Sequence, residues 1–140
     1  MEWMLMPYRR YADFSGRSRR KEYWMFALLF VIVYAVGFAL MFSQMAIMDA
    51  AAANPTPPGA AFFVGAGLLG IFVLGSFVPA LAVQVRRFHD QDKSGWFVLL
   101  NLIPYIGGLI VLVMMCLEGT KGPNRFGDDP KDPTNAGVFA

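Results

Sequence analysis

Charged residues are missing from three stretches of the chain: 23–48, 54–85 and 96–117. A transmembrane helix needs about 20 mostly apolar residues, and each stretch is long enough. Short polar segments separate them. The pattern predicts an all-α fold, a polytopic membrane helical bundle with long spans at 23–48 and 60–85 and a third apolar block at 96–117. It also predicts one integral membrane domain over 1–130, with an interfacial segment at 1–22, a connector at 49–59, a second polar loop at 86–95 and a flexible tail at 131–140.

The third block, WFVLLNLIPYIGGLIVLVMMCL, is broken at its middle. Pro104 and the pair Gly107–Gly108 interrupt it, with Asn101 one turn earlier. Irregular backbone at membrane depth is tolerated only where protein or water covers it. Two readings fit: one kinked span, or a short helical hairpin that returns its end to the side it left.

Composition supports the membrane assignment. Hydrophobic residues make up 56% of the chain and charged residues 16%, against roughly 45–50% and about 25% in globular proteins. A soluble chain of this size would have too little polar surface to cover three such blocks. The first run is long for a signal peptide and no small-residue cleavage site follows it, so it is expected to remain as a signal anchor. The one cysteine, Cys116, lies in an apolar run, which rules out a disulfide framework and reads as a small buried residue.

Charge gives sidedness. Nine of the twelve lysines and arginines lie in 1–22 and 86–95, and none in the connector. Under the positive-inside rule both segments face the cytoplasm and the connector DAAANPTPPGA faces the other side. Ser18 is the expected N-cap of the first span. Arg19, Arg20 and Lys21 then occupy its first turn, against the helix dipole; anionic headgroups would outweigh that cost. Tyr23 and Trp24 follow at the depth of an interfacial aromatic belt.

The second span contains VGAGLLG, a literal G-x-G-x-x-G. With apolar flanks and no strand before it, it is not a nucleotide site. Ala61 with Gly65, and Ala66 with Gly70, form small-xxx-small pairs suited to close helix packing. Pro79 is expected to kink the span.

Three polar stretches together carry a resemblance. They are YADFSGRSRRKEYW (11–24), RRFHDQDKSGW with the following LIPYIGG (86–108), and GTKGPNRFGDDP (119–130). In order and spacing they resemble the domain of unknown function 805 family, the YhaH-like small bacterial inner-membrane proteins. That family's pattern runs F-x-G-R-x-x-R-x-E-Y-W, R-R-x-H-D with S-G-W, I-P-x-x-G and G-x-N-R-[YF]-G-x-D-P. Only the connector and the last ten residues fall outside it. Phe88 stands where the family often has Leu, and Phe126 where it often has Tyr. The resemblance implies a multi-pass protein of the bacterial inner membrane. It also implies that Arg17, Arg20, Arg86, Arg87, His89, Asp90, Asn124 and Arg125 can meet in one cytoplasmic cluster, provided that 96–117 is a hairpin.

The loop at 86–95 has two main readings. As a turn, Arg86 and Arg87 pair with Asp90 at i,i+4 and i,i+3, each pair worth about 0.2–0.5 kcal/mol, and Asp92 or Ser94 caps the next helix. As an anion site, the arginines and His89 would grip a phosphate or carboxylate. No catalytic set is visible, and one histidine with one cysteine makes no metal site. No cofactor is implied. The basic residues hug the bilayer, so membrane lipids are the expected partners and nucleic acid is not. The small-residue face leaves room for a homo-oligomer or a partner membrane protein. The expected function is a non-enzymatic inner-membrane module whose cluster binds an anionic group or holds the fold; the alternative is a subunit of a small oligomeric transporter or channel.

Overall fold

In a computed structural model of the chain, residues 2–50 and 58–132 are described, with the backbone alone for 44–50. The elements are α1 (Glu2–Arg9), α2 (Arg20–Ala50), α3 (Ala60–Asp90), a 3₁₀ helix (Gly95–Leu102) and α4 (Gly107–Cys116). Among the described residues the only β pairing is an isolated bridge between Asn124 and Gly127. The fold is all-α, as the apolar pattern predicts. Residues 51–57 of the connector, with all but the last proline of NPTPP, and the tail beyond Asp132 lie outside the described residues.

Helices α2 and α3 are both long and apolar enough to cross a membrane, and only 11% of the apolar stretch of each is buried within the chain. Val31, Ile71 and Leu74 stand exposed. A soluble core helix hides such side chains. An apolar surface suits lipid as its solvent. Helix α3 continues through Pro79 to Asp90, five residues past the expected end of the span.

The chain forms two compact units, Ala27–Phe77 and Met1–Phe26 with Val78–Ala140. In the first, glycines allow α2 and α3 to approach closely. A Cβ on Gly65 would sit 2.8 Å from the Gly37 carbonyl oxygen. Phe30 packs edge-on against Phe72 at 4.8 Å. Gly70 faces open space, and Ala61 and Ala66 are half-buried. Of the small residues at 61–70, Gly65 is thus the one that the structure places in a tight helix contact.

In the second unit the block 96–117 is a hairpin. Its arms are too short to span: the 3₁₀ helix rises about 16 Å and α4 about 15 Å, against a hydrocarbon core of about 30 Å. The turn is a tight one, with the Ile106 amide donating to the Pro104 carbonyl at 2.8 Å and Tyr105 at φ 66°. Gly107 is required just after it, because a Cβ there would collide with the Leu100 carbonyl. Val111, Met114 and Met115 of α4 bury themselves against Phe88, with Tyr23, Val98 and Leu100 around them.

Local chemistry explains the ends. Helix α3 stops in a Schellman motif: the Lys93 amide donates to the Phe88 carbonyl at 2.9 Å and the Asp92 amide to that of His89 at 3.0 Å, with Asp92 left-handed at φ 56°. Ser94 then caps the 3₁₀ helix, its hydroxyl accepting from the Trp96 amide. Ser18 does not cap α2. The helix starts at Arg20, and the Ser18 hydroxyl accepts from Arg86 Nε at 2.9 Å instead. A guanidinium buried beside it has the stronger claim on that oxygen.

Candidate functional site: a buried arginine cluster

Three arginines are buried together with two acids. Arg17, Arg86, Arg87, Glu22 and Asp90 are each less than 5% exposed. Buried charges are stable only when paired and hydrogen-bonded, and here the pairing is extensive.

Arg17 enters from the loop before α2, just after Gly16 at φ 72°. Its Nε donates to Asp90 Oδ1 at 3.0 Å, Nη1 to the Gly122 carbonyl at 2.7 Å and Nη2 to the Thr120 carbonyl at 2.6 Å. Arg87, three residues before Asp90 on α3, meets the other carboxylate oxygen at 2.5 Å. Its Nη2 donates to the Leu117 carbonyl. Arg86 points elsewhere. Its Nη2 pairs with Glu22 Oε1 at 3.0 Å, and its Nη1 donates to the Asp13 carbonyl. The expected Arg86–Asp90 pair therefore gives way to Arg86–Glu22, while the Arg87–Asp90 pair forms. Three cations face two carboxylates, and backbone carbonyls make up the difference.

Those carbonyls are mainly the orphan acceptors of helix ends and turns. At the end of α4, Gln91 Nε2 donates to the Met114 carbonyl at 2.5 Å and Arg20 Nη1 to that of Cys116 at 3.1 Å. Together with Arg87 they place side chains from α2 and α3 on the negative end of the α4 dipole. At the end of α3, the Asp90 carbonyl accepts from the Thr120 amide at 2.7 Å and hydroxyl at 3.0 Å. Asn124 Nδ2 donates to the His89 carbonyl at 2.9 Å.

The tail motif supplies its own frame. Asn124 and Gly127 exchange backbone bonds at 3.0 Å, Asn124 Oδ1 accepts from the Phe126 amide, and the Gly122 amide donates to Asp129. Two backbone amides, of Lys131 and Gly122, hold the Asp129 carboxyl below the usual carboxylate range against a smaller opposing effect of burial. The frame delivers Phe126 flat onto His89, ring centroids 3.8 Å apart, with the Arg125 guanidinium 4.8 Å from the Phe126 ring. His89 Nδ1 lies 3.1 Å from the Gly16 carbonyl oxygen.

The structure thus gathers Arg17, Arg87, His89, Asp90 and Asn124 into one network, with Arg86 in the adjoining pair. Arg20 sits at the edge, its side chain 42% exposed and paired with Glu118 at 3.0 Å. Arg125 is outermost, 3.2 Å from Asp92. Glu22, Ser18, Gln91 and Thr120 are the members that sequence reasoning missed. Glu22 had a signal: a lone acid directly after three consecutive cations, at the start of a helix.

Most donors of the network are spent within the chain. Every nitrogen of the Arg17 and Arg86 guanidinium groups has a protein acceptor. Among the described residues, two buried atoms keep no partner, Arg87 Nε and Gln91 Oε1.

Comparison with known proteins agrees with the membrane reading. The chain is 43% identical to the inner membrane protein YhaH of Escherichia coli (strain K12) over 132 residues, covering 94% of this chain and 98% of that protein. It is 40% identical to the inner membrane protein YhaI of the same organism over 143 residues, covering 96% and 100%. The uncharacterized protein YiiR is more distant, at 24% over 150 residues, covering 86% and 87%. No solved structure matches. The family model described as protein of unknown function (DUF805) matches residues 11–128, a span that takes in every member of the arginine cluster. With both long helices apolar on their outer surface, this is a membrane protein, and the chain belongs to the DUF805 family.

Proposed function

We propose that the protein is a non-catalytic, multi-pass module of the bacterial inner membrane. On this reading its N-terminal segment, the 86–95 loop and the tail share the cytoplasmic face, and the buried arginine cluster fastens them together. The observation that carries it is the capture of the carbonyls at the end of α4, of Cys116, Leu117 and Met114, by Arg20, Arg87 and Gln91 respectively, beside the end of α3. The hairpin then enters one leaflet only, its exposed Leu102, Ile106 and Leu109 against lipid. The cluster holds the fold: eight of the nine nitrogens of its three buried guanidinium groups donate within the chain.

Two measurements test this. Reporter fusions at either terminus should both read cytoplasmic, and a clear external signal from the C-terminal fusion would overturn the shared face. Arg86→Gln and Arg87→Gln should each lower the yield of folded protein. If yield and melting behaviour are unchanged while an anion that the parent retains is lost, the cluster is a binding site and the clamp reading fails.

A further inference from the structure

At the start of α2 lies a groove of about 400 Å³ lined by Arg20, Lys21, Trp24 and Cys116. We propose that this groove binds the phosphate headgroup of an anionic membrane lipid. The proposal goes beyond the clamp reading and rests on its placing of this face at the membrane surface, which the reporter fusions test separately.

The charge arrangement is the first argument. Arg19, Arg20 and Lys21 crowd the N-terminal end of α2, where the helix dipole already favours an anion. The acid of that turn does not neutralise them, because Glu22 is buried against Arg86 at 3.0 Å. Arg19 and Lys21 lie over the Trp3 ring, 5.6 and 5.4 Å from its centre. Among the described residues, the one carboxylate paired with a cation of this turn is Glu118, on Arg20, and its side chain is 61% exposed. An exposed pair of this kind is weak and exchangeable. Cations unbalanced at a helix N-terminus break a local rule, and such breaks concentrate where a ligand supplies the balance.

The second argument concerns the kind of anion. Trp24 follows Arg20 by one helical turn and is itself exposed, which places an aromatic ring where headgroup gives way to acyl chain. Cys116, the last residue of the apolar α4, also lines the groove. A phosphate at Arg20 and Lys21 would leave its acyl chains against Trp24 and the hairpin. A soluble phosphate would gain nothing from that half of the groove.

The test uses the full chain purified in neutral detergent. Native mass spectrometry measures retention of phosphatidylglycerol against phosphatidylcholine, with glycerol phosphate as the soluble competitor. Phosphatidylglycerol should be retained preferentially, and less so as salt rises. Arg20→Gln with Lys21→Gln should weaken retention roughly tenfold or more, whereas Lys93→Gln with Lys121→Gln should leave it within about twofold. Glu118→Gln should raise retention, because it frees Arg20; this gain cannot come from misfolding. Equal loss in both double variants, no loss in either, an unchanged Glu118→Gln protein, or displacement by glycerol phosphate would each overturn the proposal.

Discussion

Arg17 Nε and Asp90 Oδ1 lie 3.0 Å apart, joining the loop before α2 to the last residue of α3, with side chains only 2% and 3% exposed. Asp90 also holds Arg87, so one carboxylate balances two buried guanidinium groups. Removing its charge leaves both uncompensated. Asp90→Asn should lower stability by about 3–5 kcal/mol, read by denaturant unfolding in micelles. Asp92→Asn, which touches only the exposed pair with Arg125, should cost less than about 1 kcal/mol. Similar losses in the two variants would show that burial does not set the value of these pairs.

The Arg86–Glu22 pair allows a sharper test. Arg86→Met or Glu22→Leu alone strands a buried charge, and each should cost about 3–5 kcal/mol. The double variant strands none, although Ser18 and the Asp13 carbonyl lose their donor. It should therefore be markedly less damaged than the sum of the single variants. A double-mutant cycle with no coupling would mean that the two side chains do not sense each other.

Much of this was legible in the sequence, and what was not has a physical reason. Hydropathy depends on composition alone, so 23–48 and 60–85 read plainly as helices. The block 96–117 did not resolve, because its length fits one span as well as two short arms. What selects the hairpin is long-range: Arg20, Arg87 and Gln91 on the carbonyls at the end of α4. Arg86 likewise looked like a partner for Asp90 at i,i+4, but Glu22 is the buried acid facing it across 64 residues of sequence. Ser18 has ideal cap chemistry and lost that role to the same arginine. Helix α1 left no apolar run, and 1–22 read only as an interfacial segment.

Gly119 joins the tail to the cluster by being small. A Cβ there would collide with the Asp90 carboxylate, which Arg17 and Arg87 hold from two sides. Nothing flexible is available to yield. Gly119→Ala should destabilise by about 1–3 kcal/mol, whereas Gly108→Ala, open at the same position, should be neutral or mildly stabilising within α4. Melting of the two variants side by side decides this; an undamaged Gly119→Ala would show that the tail packs less tightly on Asp90.

Asp13 gives a pH signature outside the spans. Burial works against its charge, but hydrogen bonds from the Ser15 hydroxyl and amide and the Arg10 guanidinium outweigh it and hold its pKa at about 2, below the ordinary 3.8. A depressed carboxylate pKa stabilises the fold above the unfolded value and stops doing so as pH falls through the folded one. The stability gap between the parent and Asp13→Asn should thus be full near pH 6, shrink below 3.8 and close at about 2. The Asp13 carbonyl also receives Arg86, so hydrogen exchange at Ser15 and Arg17 should report the loosening. A gap that stays constant over this range would remove Asp13 as its source.

Tyr105 sits at the hairpin tip with φ at 66° and its side chain fully exposed. A left-handed conformation costs a non-glycine residue roughly 1–2 kcal/mol, and among the described residues no side chain covers Tyr105 to offset it. Tyr105→Ala removes the ring and keeps the strain; Tyr105→Gly removes both. Glycine loses about 0.5–1 kcal/mol of that relief to its greater freedom when unfolded. The glycine variant should therefore exceed the alanine variant in stability by up to about 1 kcal/mol. The comparison cancels whatever the tyrosine ring itself contributes, since both variants lack it. If alanine proves equal to or better than glycine, the turn does not carry the strain that its φ implies. If both fall well below the parent, the ring itself helps to hold the hairpin.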